Sequence, residues 1–168
     1  IRNCLNAGKV ENELEKPTLA GLCYVVSSIV SKLDMFVENN VNYAECNVMD
    51  KSRVYGIVGR LTCAGNPEAD KSCIYIRNNY YIETFSHTPW IDYLEWLLDV
   101  YRWKGENTKC LSAKEMKEDS FIDELNANAR ELGPDYCKWE KGKDGLPEII
   151  PEEAKTVREI YRMLIEGM

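Results

Sequence analysis

Asp92, Glu95 and Asp99 stand three and four residues apart, the spacing that sets side chains on one face of a helix. Carboxylates so placed could divide acid and base work or seat a divalent ion, so a small carboxylate-dependent hydrolase or lyase is one reading of the chain. The same residues also fit a solvated helix edge with Asp99 paired to Arg102, where nothing shifts a carboxylate's pKa. The single histidine, His87, could act as base for a cysteine, but Ser86-His87-Thr88-Pro89 is a helix-entry segment in which a structural role suffices. No G-x-S-x-G, no phosphate-cradling glycine loop and no H-E-x-x-H occurs, so no reaction and no cofactor is named.

Seven cysteines, at positions 4, 23, 46, 63, 73, 110 and 137, are spread along the 168 residues, and none falls in a C-x-x-C pair. With one histidine beside them they argue against a zinc site, and no metal is expected. They point instead to long-range disulfides in an exported chain, periplasmic or secreted; the alternative is a cytoplasmic protein with free thiols, small buried hydrophobes. Cys63 and Cys73 enclose a loop-like Ala-Gly-Asn-Pro-Glu-Ala-Asp-Lys-Ser and form the expected local pair, while Cys46, Cys110 and Cys137 compete for a further bridge.

Composition narrows the partners. A formal charge of -7 and a pI near 4.9 repel phosphate backbones, so no nucleic acid is expected. No apolar run reaches the roughly 20 residues of a membrane span. The aromatic residues are dense from Tyr80 onward, and Tyr93, Trp96 and Trp103 are the candidates for contact with another protein, since Trp and Tyr favour interface hot spots. An acidic surface suits a basic partner.

The elements that would position these residues read as helices. Pro17-Thr18 precedes apolar positions Leu19, Leu22, Val26, Ile29, Val30, Leu33 and Val37, with Asn39, Asn40 and Asn42 as the stop. Asp50 would cap a shorter helix through Val54, Ile57, Val58 and Leu61, in which Gly56 and Gly59 admit a close backbone approach. Ile74–Arg77 and Tyr80–Glu83 flank Asn78-Asn79 as a short β-hairpin within 74–85, with a helix as the competitor. Thr88-Pro89 starts a helix running to Trp103, and Ser112 with Glu115 makes a capping box for another that Gly133-Pro134 closes. No internal repeat stands out. The expected fold is mainly α: a single-domain, disulfide-stapled bundle of about five helices, with a core domain over 1–137, a linker over 138–150 and a C-terminal helix over 151–168 packed on the same domain.

Cys4-Leu5-Asn6-Ala7, followed by Gly21-Leu22-Cys23-Tyr24-Val25-Val26, resembles the start of small periplasmic immunity proteins of the Tai type, which protect bacteria from type VI secreted amidases. The resemblance covers about the first 35 residues. It implies a helical, disulfide-bonded fold, a Cys4–Cys23 bridge and an inhibitory function. The expected function is accordingly an exported interaction protein, an inhibitor or immunity factor, with the carboxylate enzyme or a subunit of a surface or phage assembly as alternatives.

Overall fold

Asn3, Asn39, Asn78 and Asn107 share one uncommon backbone conformation, the left-handed region, with φ of 51°, 52°, 53° and 52°. Asparagine is among the few residues that enter this region at low cost. Each is preceded by a charged residue of alternating sign, Arg2, Glu38, Arg77 and Glu106. These four corners are the same corner of four successive turns of one coil.

The computed structural model describes residues 1–12, 19–28, 35–48, 54–63, 73–85, 102–133 and 136–150; strand residues 12, 23–28, 35, 60–63, 73, 74 and 102–106 are described by their backbone. The first turn carries β1 (Leu5–Asn6), β2 (Lys9–Asn12), β3 (Leu19–Ala20) and β4 (Cys23–Ser28). The second repeats this with β5 (Met35–Glu38), β6 (Val41–Asn42), β7 (Glu45–Val48), β8 (Val54–Tyr55) and β9 (Val58–Cys63). The third has β10 (Cys73–Arg77) and β11 (Tyr80–Ile82), and the fourth β12 (Arg102–Glu106) and β13 (Lys109–Leu111).

Every one of these strands pairs in parallel with its counterpart one turn away. Leu5 aligns with Val41, Tyr80 with both Val41 and Lys109, and Tyr75 with both Phe36 and Lys104. The second turn repeats the first through β2–β7, β3–β8 and β4–β9 as well. At the asparagine corner the repeat length is 36, then 39, then 29 residues. The architecture is a parallel β-solenoid, in which each turn contacts only its neighbours.

Asparagine amides hold the turns in register. Asn40 Nδ2 donates to Ile1 O of the preceding turn (3.3 Å), and Asn79 Nδ2 donates to Val37 O (2.8 Å). Asn40 Oδ1 accepts from Cys4 N, and Asn79 Oδ1 from Asn40 N. A second column spans the interior, where the Asn6 amide donates to Gly21 O and Asn42 Nδ2 to Gly56 O. Asn40 and Asn42 are fully buried, a placement tolerable because their amides are bonded to backbone groups of neighbouring segments. Gly56 lies beneath the third turn, and a Cβ there would overlap the Tyr81 ring.

Val37, Ala44, Cys46, Val54, Ile57, Val58, Ile76, Tyr81 and Phe85 fill the interior of the coil. A second apolar cluster lies outside the sheet β1-β6-β11-β13. There α1 (Asp119–Leu132) and the antiparallel hairpin β14 (Lys138–Lys141) with β15 (Pro147–Ile150) pack over Val41 and Tyr80 through Phe121, Leu125, Ala129 and Trp139. Trp139 is fully buried: its Nε1 donates to Asn3 Oδ1 (2.6 Å), and Asn126 bonds both its backbone N–H and its C=O.

This overturns the helical bundle. The described parts of 19–37 and 54–61 are strands joined by bends at Gly21-Leu22 and Gly56-Ile57, and 102–106, where a helix end was expected, is a strand as well. The reason is visible at Val54, Ile57 and Val58, all fully buried. A corner at Gly56 and Ile57 resets strand alternation and yields the i, i+3, i+4 spacing that mimics a helical face. The hairpin over 74–85 is corrected in its pairing: both strands exist and Asn78 has positive φ, but β10 and β11 each pair with other turns and not with each other. The linker over 138–150 is the hairpin β14–β15, and the absence of a repeat gives way to four turns. The capping box over Ser112 and Glu115 forms, with the Glu115 carboxylate accepting from Ser112 N (2.8 Å) and Oγ (2.6 Å). It opens a single 3₁₀ turn, Glu115–Lys117, ahead of α1, which ends at Gly133 with φ 130°.

The disulfide framework is also corrected. Cys4, Cys46, Cys110 and Cys137 form no disulfide, so the Cys4–Cys23 bridge is absent and none of the other three closes a further one. Cys4 Sγ instead points to Arg2 O (3.2 Å), and Cys46 sits in the solenoid core. The sulfurs of Cys23, Cys63 and Cys73 lie outside the described side chains. Among the described residues no helix is long and apolar enough to cross a membrane.

Candidate functional site

Asp92, Glu95, Asp99, Tyr93, Trp96 and His87 fall within 86–101, outside the described residues, as does the expected helix over 151–168. Trp103 lies on β12 in register with Ile74, described by its backbone. Among the described residues no group of three or more His, Cys, Asp and Glu side chains is placed to hold a metal ion.

The solenoid brings together a different set. On the sheet β12-β10-β5, Val37 and Ile76 point into the core, so their neighbours at alternate positions, Phe36 with Glu38 and Tyr75 with Arg77, point outward. Phe36 and Tyr75 stack with ring centroids 4.8 Å apart and planes 8° from parallel, matching the ~4.8 Å spacing of paired strands. The Arg2 guanidinium caps this stack, 3.9 Å from the Phe36 centroid, and Arg77 lies 5.9 Å from that of Tyr75. Both interactions are of the cation–π kind.

Glu38 is the pivot. Only 1% of its side chain is exposed, because the two arginines cover it from the turns above and below. Arg77 Nε donates to Glu38 Oε1. Arg2 Nε lies 2.7 Å from Glu38 Oε2 as an ion pair whose angle falls short of a hydrogen bond, and Arg2 also donates through Nη1 to Tyr136 OH (3.2 Å). Glu106 takes the next position of the column, in register with Arg77. The result is an Arg2–Glu38–Arg77 ladder running beside an aromatic stack, its two arginines half-exposed and its spacing fixed by backbone register.

Two phenols form the other polar clusters. Tyr80 OH donates to Glu124 Oε1 (2.7 Å) and accepts from Asn128 Nδ2 (3.0 Å), while Lys109 Nζ reaches the same Glu124 oxygen (2.8 Å). Burial and then the Glu124 carboxylate push the Tyr80 phenol well above its ordinary range. Burial would raise the Glu124 carboxyl too, but bonds from Lys109 and Tyr80 bring it below its usual value. Tyr81 is pushed up to about 12, by burial first and then by Cys110. Phenols held protonated in this way serve as hydrogen-bond donors at neutral pH and are poor bases. Tyr80, through Glu124 and Asn128, fastens α1 to the coil.

The arrangement thus defines a class, a parallel β-solenoid with a side-docked helix and hairpin and a charged aromatic strip on one sheet. No protein-family profile matches the chain, and no curated protein or solved structure is significantly similar to it. Sequence reasoning missed Arg2, Phe36, Glu38, Tyr75 and Arg77. The signal that finds them is the recurrence of Arg2-Asn3, Glu38-Asn39, Arg77-Asn78 and Glu106-Asn107, legible once the unequal spacing is allowed for.

Proposed function

We propose that the chain is an interaction protein that binds another protein through the strip formed by Arg2, Phe36, Tyr75 and Arg77. What supports the reading is the fixed geometry of that strip, since arginine and aromatic residues dominate interface hot spots and these lose little further freedom on binding. The surrounding charge of -7 favours encounter with a basic partner. Inhibition of an enzyme, as the Tai-type resemblance implies, is one form such binding takes. An exported setting belongs to the same proposal and rests on that resemblance alone, because the free thiols withdraw the argument from disulfides.

The test is affinity capture from the native source with the full chain and with the double variant Phe36→Ala/Tyr75→Ala, the bound protein identified by mass spectrometry. A specific partner captured by the native chain and lost with the variant, at unchanged far-UV circular dichroism, supports the strip. Capture that ignores the substitution moves the interface elsewhere, and no specific capture at all removes the function.

A further inference from the structure

The parts of the strip left open to a ligand are electropositive, although the chain as a whole is acidic. Tyr75 stacks on one face of the Phe36 ring at 4.8 Å, and the Arg2 guanidinium, from the turn on the opposite side, lies 3.9 Å over the other. Both π faces of Phe36 are therefore occupied, and what remains is the ring edge. An aromatic ring is negative on its face and positive at its edge.

The two arginines also have donors to spare. Each meets Glu38 through Nε, Arg77 on Oε1 and Arg2 on Oε2, whereas a guanidinium that faces a carboxylate squarely offers two parallel N–H groups to it. Arg2 Nη1 donates to Tyr136 OH, and among the described residues nothing accepts from Arg2 Nη2 or from either Nη of Arg77. Two cations against one carboxylate leave an excess positive charge. It lies on accessible groups, since the Arg2 and Arg77 side chains are 30% and 42% exposed and that of Glu38 only 1%.

We infer that the strip recognises a carboxylate: the partner protein sets an Asp or Glu side chain against the free Nη groups of Arg77 and Arg2, beside the Phe36 ring edge. Two guanidinium groups are then balanced by two carboxylates, Glu38 from within and the partner's from outside. This rests on the reading of the strip as a protein-binding surface and names the chemistry it selects. The chain's charge of -7 and the local excess act over different ranges, because screening in 0.1 M salt sets in beyond ~10 Å. Net charge steers the approach, and the nearest groups decide what docks. An otherwise basic partner with one carboxylate at the centre of its contact satisfies both. A phosphate would also suit guanidinium groups, but a polyphosphate backbone is repelled by the acidic chain.

The test follows the arginine Nε–H signals of the isotope-labelled full chain by NMR, in reducing buffer at neutral pH, during titration with acetyl-Leu-Glu-Leu-amide, its Gln counterpart and its phosphoserine counterpart. The Glu peptide is expected to shift the Arg2 and Arg77 signals saturably, and the Gln peptide to bind about tenfold more weakly or worse. Arg77→Lys keeps the charge but loses the fork, and at native circular dichroism it is expected to weaken the Glu peptide several-fold. The comparison of peptides on the native chain stands whatever that variant does. Equal affinity for the Glu and Gln peptides overturns the proposal, as does the absence of a saturable shift at millimolar peptide, or shifts spread evenly over the other arginines. Tighter binding of the phosphoserine peptide overturns it in favour of phosphate. Glu106 aligns with Arg77 by backbone register, so binding that appears only in Glu106→Gln overturns it as well, the chain's own carboxylate then closing the site. Failure here is distinct from failure of the function: a partner lost with Phe36→Ala/Tyr75→Ala but held without a carboxylate keeps the function and removes this chemistry, and peptide binding without any captured protein does the reverse.

Discussion

Asn40 and Asn79 make the same pair of hydrogen bonds one turn apart, each amide donating to a carbonyl of the turn before and accepting from a backbone N–H of that turn. Two residues with identical partners, at positions 39 residues apart, are a repeat written in hydrogen bonds where the remaining side chains differ.

Replacing Asn79 with Ala leaves Val37 O and Asn40 N without these partners in a fully buried site. A loss of about 1–3 kcal/mol is expected, read as a lower urea midpoint at unchanged slope. The corner residue beside it behaves differently. Asn78→Gly stays within a few tenths of a kcal/mol because glycine enters the left-handed region freely, whereas Asn78→Val costs ~1–2 kcal/mol.

Trp139 anchors the hairpin, and its removal tests whether the helix and hairpin stabilise the coil. Trp139→Ala empties a fully buried site and takes from Asn3 Oδ1 one of its two donors, Asn39 Nδ2 remaining, for an expected cost of ~3–5 kcal/mol. Trp139→Phe keeps most of the volume and loses the Nε1 donor, so a smaller loss of about 1–2 kcal/mol is expected. Equal losses from both would mean that packing contributes nothing at this site.

Alkaline titration should unfold the protein early. The Tyr81 phenol has an ordinary value of 10.0 and is pushed up to about 12 in the fold, and Tyr80 is raised as well. A raised value means the native state holds the proton more tightly, so this stability is fully present below pH 10 and is lost as pH climbs through 12. Tyr81→Phe is expected to flatten the fall of melting temperature over that window while leaving it unchanged near pH 7. A native-like slope in the variant would assign the effect to other groups.

Thiol counting decides the redox question. Four described cysteines form no disulfide, and the three that remain cannot all pair, so at least five thiols are expected to react in the unfolded, unreduced protein. Reductant should leave the melting temperature nearly unchanged. A count of one would restore a full disulfide framework and contradict the structure.

The parts of the fold that the sequence disclosed are those fixed by neighbours in the chain. Ser112 and Glu115 form their capping box three residues apart, Gly133 ends α1, and Asn78 turns the chain where the β-rich stretches 74–77 and 80–82 meet. What stayed hidden depends on partners 29 to 39 residues away. Corners between two-residue strands scramble the alternation that marks a strand, and the repeat is carried by one asparagine and one charge per turn at unequal intervals. The strip was missed for the same reason: Phe36 and Tyr75 look like isolated aromatics until the register stacks them. Disulfides failed for another reason, since scattered cysteines in a solenoid fall at interior and corner positions, such as Cys46 and Cys4, where a thiol is a small packing residue.

The bonds from Asn3 to Cys137 and Trp139 reach across 134 and 136 residues. A ribosome delivers residue 3 first and residue 139 many seconds later, at about 5–20 residues per second. During that interval the first turn has its asparagine corner but lacks the groups that satisfy and cover it. The Asn3 corner is thus made before its partners, and the nascent chain carries it unfinished until the hairpin emerges. Shielding of that corner before the hairpin arrives becomes a requirement of its biogenesis.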